Sequence, residues 1–136
     1  MKLPNFALTS LSLLLLISCA SPQASTQDKK AELCTNLARL NTSVATLKSM
    51  SPNSTVGDLR TARDQVKTAF VDVKASAETV QEAKLADLET AQNNLDRAIT
   101  NIPNNATLQQ ASQSVAPQVA AVESAQAQMR SGLGCS

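Results

Sequence analysis

The stretch TVGDLRTARDQVKTAFVDVKASAETVQEAKLADLETAQNNLDRAITNI, Thr55 to Ile102, decides how the rest of the chain is read. It contains no Pro, and its one Gly, Gly57, falls in the first turn. Val56, Leu59, Ala62, Val66, Phe70, Val73, Ala77 and Val80 recur at helical spacing. Leu88, Ala91, Leu95, Ile99 and Ile102 continue the stripe. A period of about 3.5–3.6 residues keeps such a stripe on one face, which predicts a single long α-helix. At ~1.5 Å per residue that helix would span roughly 70 Å.

Composition points the same way. Ala, Ser, Thr, Gln, Asn and Leu dominate, His, Trp and Tyr are absent, and the two Phe are Phe6 and Phe70. A core without aromatic mass must be built from Leu, Val, Ile and Ala, each large side chain contributing about 1.5–3 kcal/mol when fully buried. Scarce Gly and Pro and little strand-like alternation leave all-α as the expected fold class. Twelve Lys and Arg against eleven Asp and Glu give a formal net charge of +1. That balance lacks the basic surface a nucleic-acid partner needs.

The chain opens on Met1-Lys2-Leu3, followed by an apolar run from Phe6 to Ile17. The run is short for a transmembrane helix of about 20 residues and fits the hydrophobic region of a signal peptide. It ends in Leu16-Ile17-Ser18-Cys19, which resembles the bacterial lipobox. The resemblance implies a signal peptide over 1–18, cleavage before Cys19, and acylation of Cys19. Two or three acyl chains anchor stably, since each buried methylene contributes about 0.8 kcal/mol. Cleavage after Ala20 or Ala24, giving a soluble secreted or periplasmic protein, is the alternative. Among such lipoproteins an Asp after the lipidated Cys commonly marks inner-membrane retention. Here that position is Ala20, which by the resemblance implies the outer membrane. Residues 19–27, small, polar and Pro-bearing, read as a lipid-anchored flexible tether to a helical domain over 28–136.

A first helix is expected from about Asp28 to before Pro52, with Leu33, Leu37, Leu40, Val44 and Leu47 as its seam. Thr55 with Asp58, and Thr107 with Gln110, read as capping boxes. The last helix is expected to run to about Arg130 with Leu108, Ala111, Val115, Val119, Val122 and Met129 inward. Pro117 predicts a kink or short break in it, and Gly132 and Gly134 its end. The expected architecture is a long central helix with two shorter antiparallel helices, an extended helical hairpin or coiled-coil-like bundle. A break near Ser76-Ala77, giving four short helices in a compact bundle, ranks second. The charges of the central stretch read as a solvated face, with Lys74 and Glu78 as an i,i+4 pair. The sharper reading is a charge-complementary surface for antiparallel self-association.

With Cys19 spent on lipid, Cys34 and Cys135 remain in an oxidising compartment. If the short helices lie end to end along the long one, both reach the level of Asp72. A Cys34–Cys135 disulfide is therefore expected to close the fold.

Catalytic chemistry is not legible. Without His, imidazole bases, the usual triads and most zinc sites are excluded. No Gly-rich phosphate loop occurs. Glu78 with Glu82 is a spacing common on solvated helices. The expectation is a non-enzymatic protein with no cofactor and no metal site. Beyond the lipobox, the chain resembles the small helical lipoproteins of bacterial envelopes, and its seams resemble those of the murein lipoprotein. That protein ends in a Lys used for wall attachment, whereas this sequence ends Gly134-Cys135-Ser136, so only the anchor is carried over. The partners implied are membrane lipid through acylated Cys19, and an envelope protein or a second copy of the chain. Binding of a lipid surface or a small apolar ligand by the Ala-rich seams is the alternative.

Overall fold

A computed structural model describes residues 22–80 and 83–136. The expected signal peptide, the lipobox and Cys19 lie outside the described residues, as does the start of the expected tether. The described residues form four helices, α1 (Pro22–Lys48), α2 (Val56–Ala77), α3 (Leu85–Thr100) and α4 (Leu108–Leu133). Among the described residues there is no strand.

The Thr55–Ile102 segment is two helices, not one. α2 ends at Ala77 with Glu78 as its C-cap, and α3 starts at Leu85. No breaker sits between them. The stripe lapses there instead, because Lys84 occupies the position between Val80 and Leu88 where an apolar residue would continue it. Thr79 and Val80 are both β-branched, which lowers helix propensity slightly. Val80 is 3% exposed. Its N–H donates to the Ala77 carbonyl at 3.0 Å, and its own carbonyl accepts from Ala83 at 3.1 Å, so it anchors the reversal. Folding back buries both halves of the stripe, which one straight helix beside two short partners would do less completely. Tertiary burial here outweighs local propensity.

The reversal makes α2 and α3 antiparallel neighbours. Lys74 Nζ meets Glu89 Oε1 at 2.8 Å near the break, and Arg63 Nε lies 3.6 Å from Asp96 Oδ1 further along. Arg60 donates to the Ile102 carbonyl at 3.0 Å at the far end. Part of the charge complementarity of the central stretch is thus used within the chain. Lys74 takes Glu89 as its hydrogen-bonded partner, not Glu78.

α1 packs on α2 and α4, and α3 on α2 and α4, so the helices form an antiparallel four-membered ring. The two outer helices lie side by side rather than end to end, because the α2–α3 reversal carries α4 back alongside α1.

The seams form one core. Leu33, Leu37, Leu40 and Val44 of α1 are fully buried, as are Val66, Val73, Leu88, Leu95, Ile99 and Val122. Asn36, Ser76, Gln92 and Gln126 share the interior. Asn36 donates to Ser76 Oγ at 3.1 Å and to the Asp72 carbonyl at 3.3 Å, tying α1 to α2. Gln126 donates to the Leu37 carbonyl, tying α4 to α1. Among the described residues the Gln92 amide and Gln126 Oε1 find no hydrogen-bond partner, a cost of about 1–3 kcal/mol for each unpaired group.

Helix ends follow local chemistry. Thr55 and Asp58 form a capping box at α2, and Thr107 and Gln110 form one at α4. Gly134 closes α4 in the left-handed conformation, φ 69°, where a side chain would be strained. α4 runs through Pro117 without a break. Pro117 is exposed, as is Gln113, the residue whose carbonyl loses its helical donor there. α1 begins at Pro22 rather than near Asp28, so its first turns take in residues 22–27 of the expected tether. Proline suits a first helical position, where its missing N–H would have no helical partner.

Candidate functional site

Two places gather the residues that could carry function. The first is the end where Cys34 and Cys135 meet. Cys34 lies on α1 one residue past the fully buried Leu33. Cys135 follows the Gly134 cap, and its N–H donates to the Arg130 carbonyl at 3.0 Å. The left-handed glycine turns the chain off α4 toward α1, and the two cysteines are bonded with a Cα–Cα separation of 5.6 Å. The Asn36–Ser76 and Gln126–Leu37 hydrogen bonds lie within a turn of Cys34 along α1 and hold the register that aligns the pair. The level beside Asp72 expected from counting residues is where α1 stands, since Asn36 reaches the Asp72 carbonyl.

Beyond this bridge α1 continues toward its N-terminus at Pro22. Thr26, Gln27, Asp28 and Lys29 are exposed, as are Ala31 and Glu32. At ~1.5 Å per residue, 22–33 projects roughly 16 Å past the first core residue.

The second place is the opposite end. α1 stops at Lys48, while Lys48 Nζ pairs with Glu123 at 3.1 Å, well inside α4. The first turns of α4 therefore run on beyond α1. A half-enclosed apolar pocket of about 160 Å³ occupies the gap. It is lined by Leu47 and Met50, by Leu59 of α2, and by Leu108, Val115 and Val119 of α4. Sequence reading missed this pocket. Its only signal was a mismatch of lengths, the first seam ending at Leu47 while the last runs from Leu108 to Met129.

The remaining candidates do not converge. Glu78 caps α2, and Glu82 lies outside the described residues. Among the described residues no three His, Cys, Asp or Glu side chains are grouped as a metal site. Many surface hydroxyls are spent on their own helix, including Thr35, Thr42 and Thr46, each donating to the carbonyl one turn back.

Two titratable groups are perturbed. Asp58 accepts from the Thr55 N–H at 2.8 Å and hydroxyl at 2.9 Å, which lowers its pKa. The Glu89 hydrogen bond, with its charge, raises the pKa of Lys74. Both belong to helix ends and hairpin pairing rather than to a reactive centre.

Among the described residues no helix is long and apolar enough to cross a membrane. No protein-family model, curated protein or solved structure matches this chain.

Proposed function

We propose that this chain is a non-enzymatic lipoprotein of the bacterial cell envelope, its helical domain acting as a protein-interaction or spacer module. The lipobox-like Leu16-Ile17-Ser18-Cys19 supports the anchor. The observation that carries the module reading is that α1 starts at Pro22, about three turns before Leu33, with Gln27, Asp28, Lys29, Ala31 and Glu32 exposed. Such a helical lead-in would act as a stalk between the attachment point and the folded part. A stiff stalk sets a distance, which a flexible tether does not. Acylated Cys19 would hold this stalk at the membrane, in the outer membrane if Ala20 is read as an export signal.

Two measurements test the reading. Metabolic labelling with a fatty acid should mark the wild-type chain and not Cys19→Ser. Labelling that survives this substitution would remove the anchor. Chemical cross-linking in intact cells should then attach one abundant envelope protein, or a second copy, to exposed helix faces. A second reading, binding of a small apolar ligand, is favoured by one specific observation, the pocket where α1 stops.

A further inference from the structure

We propose that the pocket beside Lys48 takes a free, neutral ligand of hydrocarbon character, close in size to benzene or a six-carbon chain. This rests on the second reading above and names its site and ligand class.

Size comes first. Apolar cavities of about 150 Å³ are large enough for benzene, and this one is about 160 Å³. Chemistry comes next. The walls are Leu, Val, Ala and Met side chains, and the polar residues among the lining are Lys48, Glu123 and Ser112. Each of these is already spent. Lys48 Nζ donates to both Glu123 oxygens, at 3.1 and 3.2 Å, and Ser112 Oγ donates to the Gln109 carbonyl at 2.9 Å. The Lys48 and Glu123 charges are turned on each other and Ser112 on its own helix, so the apolar walls suit hydrocarbon, and a sugar, nucleotide or carboxylate would give up hydration for little in return. Met50, in the α1–α2 connection, is half-buried against the core and has the adaptable side chain suited to covering such an entrance.

Position separates a free ligand from a bilayer tail. The pocket lies at the Lys48 end of α1, about 40 Å along the helix from Pro22. A lipid tail would have to leave a leaflet only about 15 Å deep to reach it when α1 stands away from the membrane. The lining also lacks the aromatic and basic rim of a surface that settles into lipid.

The test is photolabelling of the full chain in its native membranes with two probes. One is a free six-carbon alkyl diazirine; the other is a phospholipid with the diazirine at the end of an acyl chain. The free probe should mark Met50 or residues within 108–123, and excess hexane should suppress that labelling about tenfold. Ala120→Leu, which fills the pocket, should suppress it equally while helix content and the Cys34–Cys135 bridge persist. Ala116→Leu serves the same purpose if Ala120→Leu fails to fold. Labelling by the phospholipid alone, labelling that survives filling, or no labelling at the pocket overturns the proposal. Saturable marking of other seams would overturn this site while leaving the broader ligand-binding reading standing. Loss of the Cys19 anchor reading would be seen separately, in the fatty-acid experiment.

Discussion

Residues 78–84 and the turn around Pro117 are interruptions with opposite outcomes. α4 carries a proline in its interior and stays one helix from Leu108 to Leu133. The segment after Ala77 contains neither Pro nor Gly, yet the helix stops and the chain reverses. Pro117 itself is exposed while the seam continues through the buried Val115 and Val119, so burial holds the helix together. At 78–84 the seam lapses, and reversal gives both halves of the stripe a partner. Continuity in this fold follows the apolar face more closely than it follows breaker residues.

The largest perturbation should come from cutting the bond that holds α4 to α1. Cys34→Ser removes a link across a sequence separation of 101 residues. Loss of up to about 5 kcal/mol is expected from the chain-entropy model, whose mechanism is disputed. Denaturant unfolding with and without reductant should give the same loss in wild type and no further loss in the variant. Hydrogen exchange should then show α4 losing protection before the α2–α3 hairpin. Uniform loss would mean that Pro117 leaves no local weakness.

Pro117→Ala should stabilise, by up to about 3 kcal/mol, because it restores a helix N–H and removes a ring clash. A shift in thermal midpoint reads it. A decrease would show that the proline serves α4 in a way burial does not explain. Val80→Ala should cost about 2 kcal/mol, since it strips a buried side chain from the reversal. If the variant is instead neutral, the reversal does not depend on Val80 as its anchor.

The smallest effects are those of pH, and they separate the same two regions. Asp58 has a lowered pKa, so its contribution is complete above the unfolded value of about 3.9 and disappears as pH falls through the folded value. Lys74 has a raised pKa, so the Lys74–Glu89 contribution is complete below about 10.4 and disappears as pH rises through the folded value. Both groups are well exposed and each effect is slight. The capping box of α4 uses Gln110, which does not titrate. Hydrogen exchange at the two extremes should therefore loosen the ends of α2 and α3 and leave the start of α4 unchanged. An α4 start that responds equally would contradict the assignment.

Much of the interior was legible from spacing alone. Each seam residue read along the first helix and the central stretch is buried, and along the last helix only Leu108 is less than buried. Both capping boxes were legible too, since each depends on a few residues at short offsets, whereas the Cys34–Cys135 pair was expected from an end-to-end placement of the outer helices and forms instead between helices that lie side by side. The reversal at Ala77 was harder, because its sign is an absence, the missing apolar residue at Lys84. Asn36, Ser76, Gln92 and Gln126 were invisible, since their burial depends on which helix stands opposite. The pocket was invisible for the same reason: it comes from unequal helix ends, not from a motif.

The bridge also changes how the molecule bears load. Pulled between a point before Cys34 and a point after Cys135, the chain transmits tension through one covalent bond. The residues between them form a closed loop outside the line of force. The bundle would keep its shape under a pull that unravels an unbridged helical domain, and only the exposed start of α1 would lengthen. Reduction would turn this stiff fitting into an extensible one without altering any residue of the core.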